Sequence, residues 1–253
     1  MGGILDNPLV VFAASLVTQW IAALTGDHLR GRMRPVRKEE REDIDTVQTA
    51  MLTLLALIIG FSFAMAVTRY DLRKAYEEAE ANAIGTEYVR AELLPAYDAA
   101  GVHDLLKKYL DQRVLFYETR DSREIDLIRA DTARLQAALW SAILPAANTQ
   151  STPITALAVS GMNDVLNSQA RTQGAWWNRI PVAAWGLMGL IAIACNAMLG
   201  YSEHRRRAVL LLLLPVIVSI SLLLIADIDS PRGGLIRVAP ENLISLSQSL
   251  KAQ

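Results

Sequence analysis

The chain has 253 residues, 52% of them apolar, and a formal net charge of −1. This near-neutral balance provides no bulk field for gathering nucleic acid, so no nucleic-acid partner is expected. The single cysteine, Cys195, excludes an intrachain disulfide and reads as a small packing residue.

The charges are unevenly placed. The first uncharged stretch, Asn7 to Gly26, is 20 residues long. A bilayer core needs roughly 20 apolar residues per helix, so this stretch can span one. Residues 1–6 carry no positive charge, and no small-x-small site leads to a polar start near Gly26. A retained helix is therefore expected, not a cleaved signal. A charged linker, Asp27 to Asp45, follows.

The second uncharged stretch, Thr46 to Thr68, has 23 residues. Nothing ends the helix there. No proline occurs from Thr46 to Leu94, and Pro95 is expected to stop the helix. One continuous helix should thus leave the bilayer and go on in water. In "DLRKAYEEAEA" the carboxylates of Glu77 to Glu80, with Arg73 and Lys74 beside them, read as an ordinary solvated face. Ala75, Ala79, Ala83 and Thr86 make a small-residue face. That face suits either close packing inside one chain or packing of equivalent helices from several subunits around an axis.

Residues 69–179 hold 13 Lys/Arg and 15 Asp/Glu and read as a helical extramembrane domain. Val102, Leu105, Leu106, Tyr109, Leu110 and Val114 recur at spacings of three and four, as do Ile125, Ile128, Leu135, Leu139 and Ile143. "ILPAANTQSTP", 143–153, reads as a loop. Thr152 is the expected N-cap of a further helix with Pro153 at its first position.

The last two uncharged stretches are Ile180 to Ser202, of 23 residues, and Ala208 to Ala226, of 19. In the former, Gly186, Gly189 and Ala192 form a strip of the kind used for tight helix contacts. Trp176, Trp177 and Trp185 at one end and Tyr201 at the other fit aromatic belts. In the latter, Pro215 predicts a kink. The in-span polar residues are mild, among them Gln19, Thr53, Asn196 and Ser219, and no charge sits mid-span. A pump built on a buried intramembrane carboxylate is therefore not expected.

The expected fold is all-α: an integral membrane protein with four transmembrane helices and a helical domain between the second and third. Residues 1–68 would hold helices one and two, 69–179 the extramembrane domain, 180–226 helices three and four, and 227–253 a tail. Arg69 and Arg73 end helix two; Asp227 and Asp229 end helix four. Parity puts both ends on one membrane face, so these four are candidates for ion pairs there.

Orientation follows the basic residues. One face carries Arg30, Arg32, Arg34, Arg37, Lys38, Arg41, Arg205, Arg206 and Arg207; the other has seven near the spans. The bias favours termini and helical domain outside the cytoplasm.

"LIIGFSFAMAVTRYD" resembles the second transmembrane helix of bestrophins. "RYDLRKAYEEAEANAIGTEYVRAELLP" and "DIDSPRGGLIRVAPENL" are similar to the bacterial bestrophin-like domain family. Bestrophins are pentameric ion channels whose second helix lines a narrow apolar neck. The resemblance implies a homo-oligomer, a pentamer if bestrophin-like, in a bacterial inner membrane, with inorganic ions as its cargo. It places Thr53, Leu57 and Phe61 at the neck. Their i, i+4, i+8 spacing does share one helix face, which could equally serve packing or lipid contact. The chain departs from the bestrophin pattern in three ways. It has Tyr70-Asp71 where bestrophins carry an aromatic pair, it keeps only Asp227 and Asp229 of the calcium-binding acidic cluster, and its linker is long. Bestrophins also keep the polar domain cytoplasmic, against the basic-residue bias.

No enzyme, cofactor or metal is expected. His28, His103 and His204 lack metal-ligand spacing, and there is no P-loop, nucleophile elbow or dinucleotide fingerprint. Two functions remain: an oligomeric channel lined by helix two, or a non-conducting membrane scaffold or envelope sensor whose helical domain binds a partner.

Overall fold

A computed structural model of the protein describes residues 6–32, 38–149, 152–202 and 208–252. Its helices are α1 (Pro8–Arg32), α2 (Lys38–Arg90), α3 (Ala96–Glu118), α4 (Ser122–Thr149), α5 (Pro153–Trp177), α6 (Val182–Ser202), α7 (Ala208–Asp229) and α8 (Glu241–Lys251). No strand occurs among the described residues. Four helical stretches are long and apolar enough to cross a membrane, and they lie within Pro8–Arg32, Glu42–Leu93, Pro153–Ser202 and Leu212–Asp229. The protein is an integral membrane protein. Of the basic residues invoked for orientation, Arg34, Arg37, Arg205, Arg206 and Arg207 lie outside the described residues.

The 53 residues of α2 are unbroken. At ~1.5 Å per residue they are far longer than a hydrocarbon core of roughly 30 Å. The uncharged part, 46–68, is long and apolar enough to cross such a core, and the part from Asp71 onward is rich in charge. The helix tightens into a 3₁₀ turn, Ala91–Leu93, and then Leu94 is extended, with φ −85° and ψ 162°. Pro95 imposes this, because its ring bars the preceding residue from helical geometry.

The chain forms two compact units. One comprises Met1–Tyr70 and Arg179–Arg237; the other comprises Asp71–Asn178 and Val238–Gln253. In the first, α1 packs along α6 and α7. The core joins Val11, Leu55, Ala66, Met188, Ala192, Cys195, Val218, Leu222 and Ile225. Of the predicted strip, Ala192 is buried in this core, but its two glycines do not mark a close backbone approach. A Cβ at Gly186 or Gly189 would meet nothing within 4 Å, whereas one at Gly26 would overlap the carbonyl of Ala197, and one at Gly200 that of Ala23. Two glycines facing each other's backbones let α1 and α6 touch. Beside them the buried Gln19, Asn196 and Ser219 are linked. Asn196 Nδ2 donates to Gln19 Oε1 at 2.9 Å, and Gln19 Nε2 donates to Ser219 Oγ at 3.2 Å. These three buried side chains thereby link α1 to both α6 and α7.

In the second unit α3 packs on α4, α4 on α5, and α8 on α3. Val102, Leu106, Tyr109 and Leu110 of α3 and Ile125, Ile128, Leu139 and Ile143 of α4 are buried as their periodicity predicts. Thr152 caps α5 as predicted, its hydroxyl accepting the N–H of Thr155 at 3.2 Å. The predicted loop at 143–153 is mostly helix: α4 continues through Pro145 to Thr149. Proline costs a helix interior about 3 kcal/mol, but Ile143 and Ala146 on either side are fully buried, and their burial offsets that cost. Trp176 is a core residue, not a belt residue. It is 6% exposed and packs on Phe116, with ring centroids 4.9 Å apart, and on Tyr117 at 5.4 Å.

Candidate pore-lining face and its supports

The membrane part of α2 has two unlike sides. Leu55, Ser62 and Ala66 are buried in the first unit. Rotated away from them at helical spacing lie Thr46, Thr53, Leu57, Gly60, Ala64 and Thr68, all exposed, with Phe61 on the flank of this face. Leu57 is 52% and Phe61 63% exposed. Thr53 Oγ1 donates to the Thr49 carbonyl at 2.8 Å, and Thr46, Thr49 and Thr68 each donate to the carbonyl four residues back. These hydroxyls are satisfied within the helix yet keep oxygen at its surface. A shallow hollow of about 730 Å³ runs along Asp45, Thr46, Thr49, Ala50, Thr53, Leu54 and Leu57. The three neck candidates therefore share an uncovered side.

The acidic end of α7 organises the chain around it. Asp229, 1% exposed, accepts the N–H of Ile180 at 3.1 Å and faces Arg179 Nε at 3.5 Å. Arg179 also pairs with Asp6. Asp227 accepts two backbone N–H groups, Leu235 at 2.7 Å and Ile236 at 2.8 Å. Gly233 and Gly234 allow this fold-back, since a Cβ on either would overlap the carbonyl of Asp6 or Asp227 respectively. The conspicuous "DIDSPRGGLIR" element is thus a carboxylate-anchored turn. Of the basic ion-pair candidates, Arg69 is half-buried and Arg73 is 2% exposed.

The solvated reading of Glu77 to Glu80 is wrong. Glu78 and Ala79 are exposed, but Glu77 and Glu80 are 1% and 0% exposed. Glu80 receives Arg113 Nε at 2.5 Å and Thr172 Oγ1 at 3.0 Å. Burial by itself would lower the Arg113 pKa; Glu80 beside it holds it above the ordinary value. Burial first, and the Glu80 charge second, push the phenols of Tyr109 and Tyr117 up. The signal was in the spacing: Arg73, Glu77, Glu80, Ile84, Glu87 and Ala91 fall on one stripe, and Ile84 and Ala91 on it are fully buried.

The fold has known counterparts. A crystal structure of a bacterial bestrophin homologue from Klebsiella pneumoniae, in an isoleucine-to-threonine variant, superposes with a TM-score of 0.62 at 11% identity, covering 96% of this chain and 97% of that one. A tryptophan-to-alanine variant of the Klebsiella pneumoniae homologue gives a TM-score of 0.62 at 13% identity, covering 100% and 97%. At such identities the likeness establishes the fold. No curated protein matches the sequence. The model of the Bestrophin-like domain matches residues 12–243, nearly the full length, and the chain belongs to the Bestrophin-like domain family.

Proposed function

We propose that the protein is an ion channel, not an enzyme: a homo-oligomer in the bacterial inner membrane whose α2 helices surround a common axis. Thr53, Leu57 and Phe61 would form the apolar neck, and a pentamer is the stoichiometry that the family suggests. Inorganic ions would pass a ring of leucine and phenylalanine that gates by dewetting. The observation that carries this reading is the two-sided α2, with Leu55 and Ala66 buried and Leu57 and Phe61 more than half exposed on the other side. The threonines and Gly60 interleaved along that side support this reading, because hydroxyl oxygens at the surface of a pore can coordinate ions. Asp227, Asp229 and Arg179 act in this scheme as structural anchors that hold the ends of α6 and α7. Arg69 and Arg73 would be charges near the same end of the span.

The test is ion flux through purified protein in planar bilayers. Currents that change in Leu57→Ala and Phe61→Ala support the channel. Silence across ions and voltages, or a stable monomer in detergent, rejects it and leaves the non-conducting scaffold or envelope sensor.

A further inference from the structure

Glu87 on α2 is fully buried, and neither carboxyl oxygen has a hydrogen-bond partner among the described residues. An ionised carboxylate in such a place must either take up a proton or gain water. The charged groups facing it are Arg90 on its own helix and Asp164 on α5. Arg90 favours the charged form and Asp164 the neutral one, and burial outweighs both: the Glu87 pKa is pushed up to about 8.

The opposing wall is α5 at Gly161. A Cβ there would overlap Glu87 Oε2 and crowd Arg90 Nη1 at 2.7 Å. The missing side chain is what lets the two helices close over the carboxyl. Alongside runs a solvent-open cleft of about 450 Å³ lined by Asn82, Arg90, Gly161, Asp164, Asn167 and Arg171, among others. Water is therefore one small separation of α2 and α5 away from Glu87. This geometry lies within the second unit and does not rest on the channel reading.

We propose that Glu87 and Gly161 form a proton-held clasp: the neutral carboxyl lets α2 and α5 close over it, and loss of its proton opens the crossing and draws cleft water in. The folded-state pKa is raised, so the contribution to stability is complete below about pH 4.5 and is lost as pH rises to about 8. Across that window folding takes up one proton, and the folding equilibrium constant falls by up to about tenfold per pH unit.

The experiment is amide hydrogen exchange on the full-length protein in detergent, corrected for the intrinsic pH dependence of exchange. Protection of α5 amides around Gly161 should fall as pH passes about 8. Glu87→Gln, which mimics the neutral carboxyl, should keep that protection, whereas the charge of Asp164 raises the Glu87 pKa and so holds the proton on. 

Asp164→Asn therefore opens the clasp at a lower pH than the wild type does. As a measurement independent of any variant's folding, the carboxyl resonances of ¹³C-glutamate-labelled wild-type protein should include one still protonated at about pH 6.5. The proposal is overturned if every glutamate is ionised there, if α5 protection does not change up to about pH 9, or if Glu87→Gln loses protection at the same pH as the wild type.

Discussion

The carboxylate of Glu77 on α2 caps α8 from across the second unit: Oε1 accepts the N–H of Leu243 at 3.0 Å and Oε2 accepts Asn242 Nδ2 at 2.6 Å. Helix α8 opens at Glu241 after Pro240, which offers no side-chain cap. The first N–H groups of a helix need acceptors, and a carboxylate also suits the positive end of its dipole. Glu77→Ala should therefore cost about 1–3 kcal/mol. Hydrogen exchange should show 241–251 losing protection before the rest of the unit does.

Glu80 and Arg113 are both essentially buried, 0% and 1% exposed. Glu80→Ala leaves the guanidinium without its counter-charge and should cost about 3–5 kcal/mol. Replacing both, Glu80→Leu with Arg113→Met, should recover most of that loss, because no charge is then left buried. Thermal unfolding of the two variants in detergent measures the difference.

The crossing of α1 and α6 depends on Gly26 and Gly200, not on the glycines that look most like a packing strip. Gly200→Ala should destabilise by about 1–3 kcal/mol, the usual cost of overpacking, since its Cβ would overlap the Ala23 carbonyl. Gly186→Ala and Gly189→Ala should be close to neutral, since nothing lies within 4 Å of a Cβ at either. Unfolding midpoints of the three variants test this ordering.

Asn196 and Gln19 link α6 to α1 inside the apolar span. Asn196→Leu should cost about 0.6–2 kcal/mol, the range for interhelical hydrogen bonds in membranes. A double-mutant cycle with Gln19→Leu should give a coupling energy of that size.

Widening the neck should raise flux if Leu57 and Phe61 gate by dewetting. Leu57→Ala and Phe61→Ala should each increase the single-channel current. Their subunit number on size-exclusion chromatography with light scattering should be unchanged.

The sequence by itself determined the membrane class and the run of helices. Four stretches without charge, each about as long as a bilayer is thick, admit little else. It also determined where α2 stops, because Pro95 acts on its immediate neighbour, and where α5 starts, because Thr152 caps three residues on. It placed Thr53, Leu57 and Phe61 on one helix face by spacing alone. Only the tertiary structure decided which side of the stalk is inside. Glu80 is buried because Arg113, 33 residues away, meets it, and Glu77 because Asn242, 165 residues away, does. Pro145 stays helical for the same kind of reason, with Ile143 and Ala146 sealed in the core. Periodicity and propensity are local; whether a charge is solvated depends on what distant chain arrives beside it.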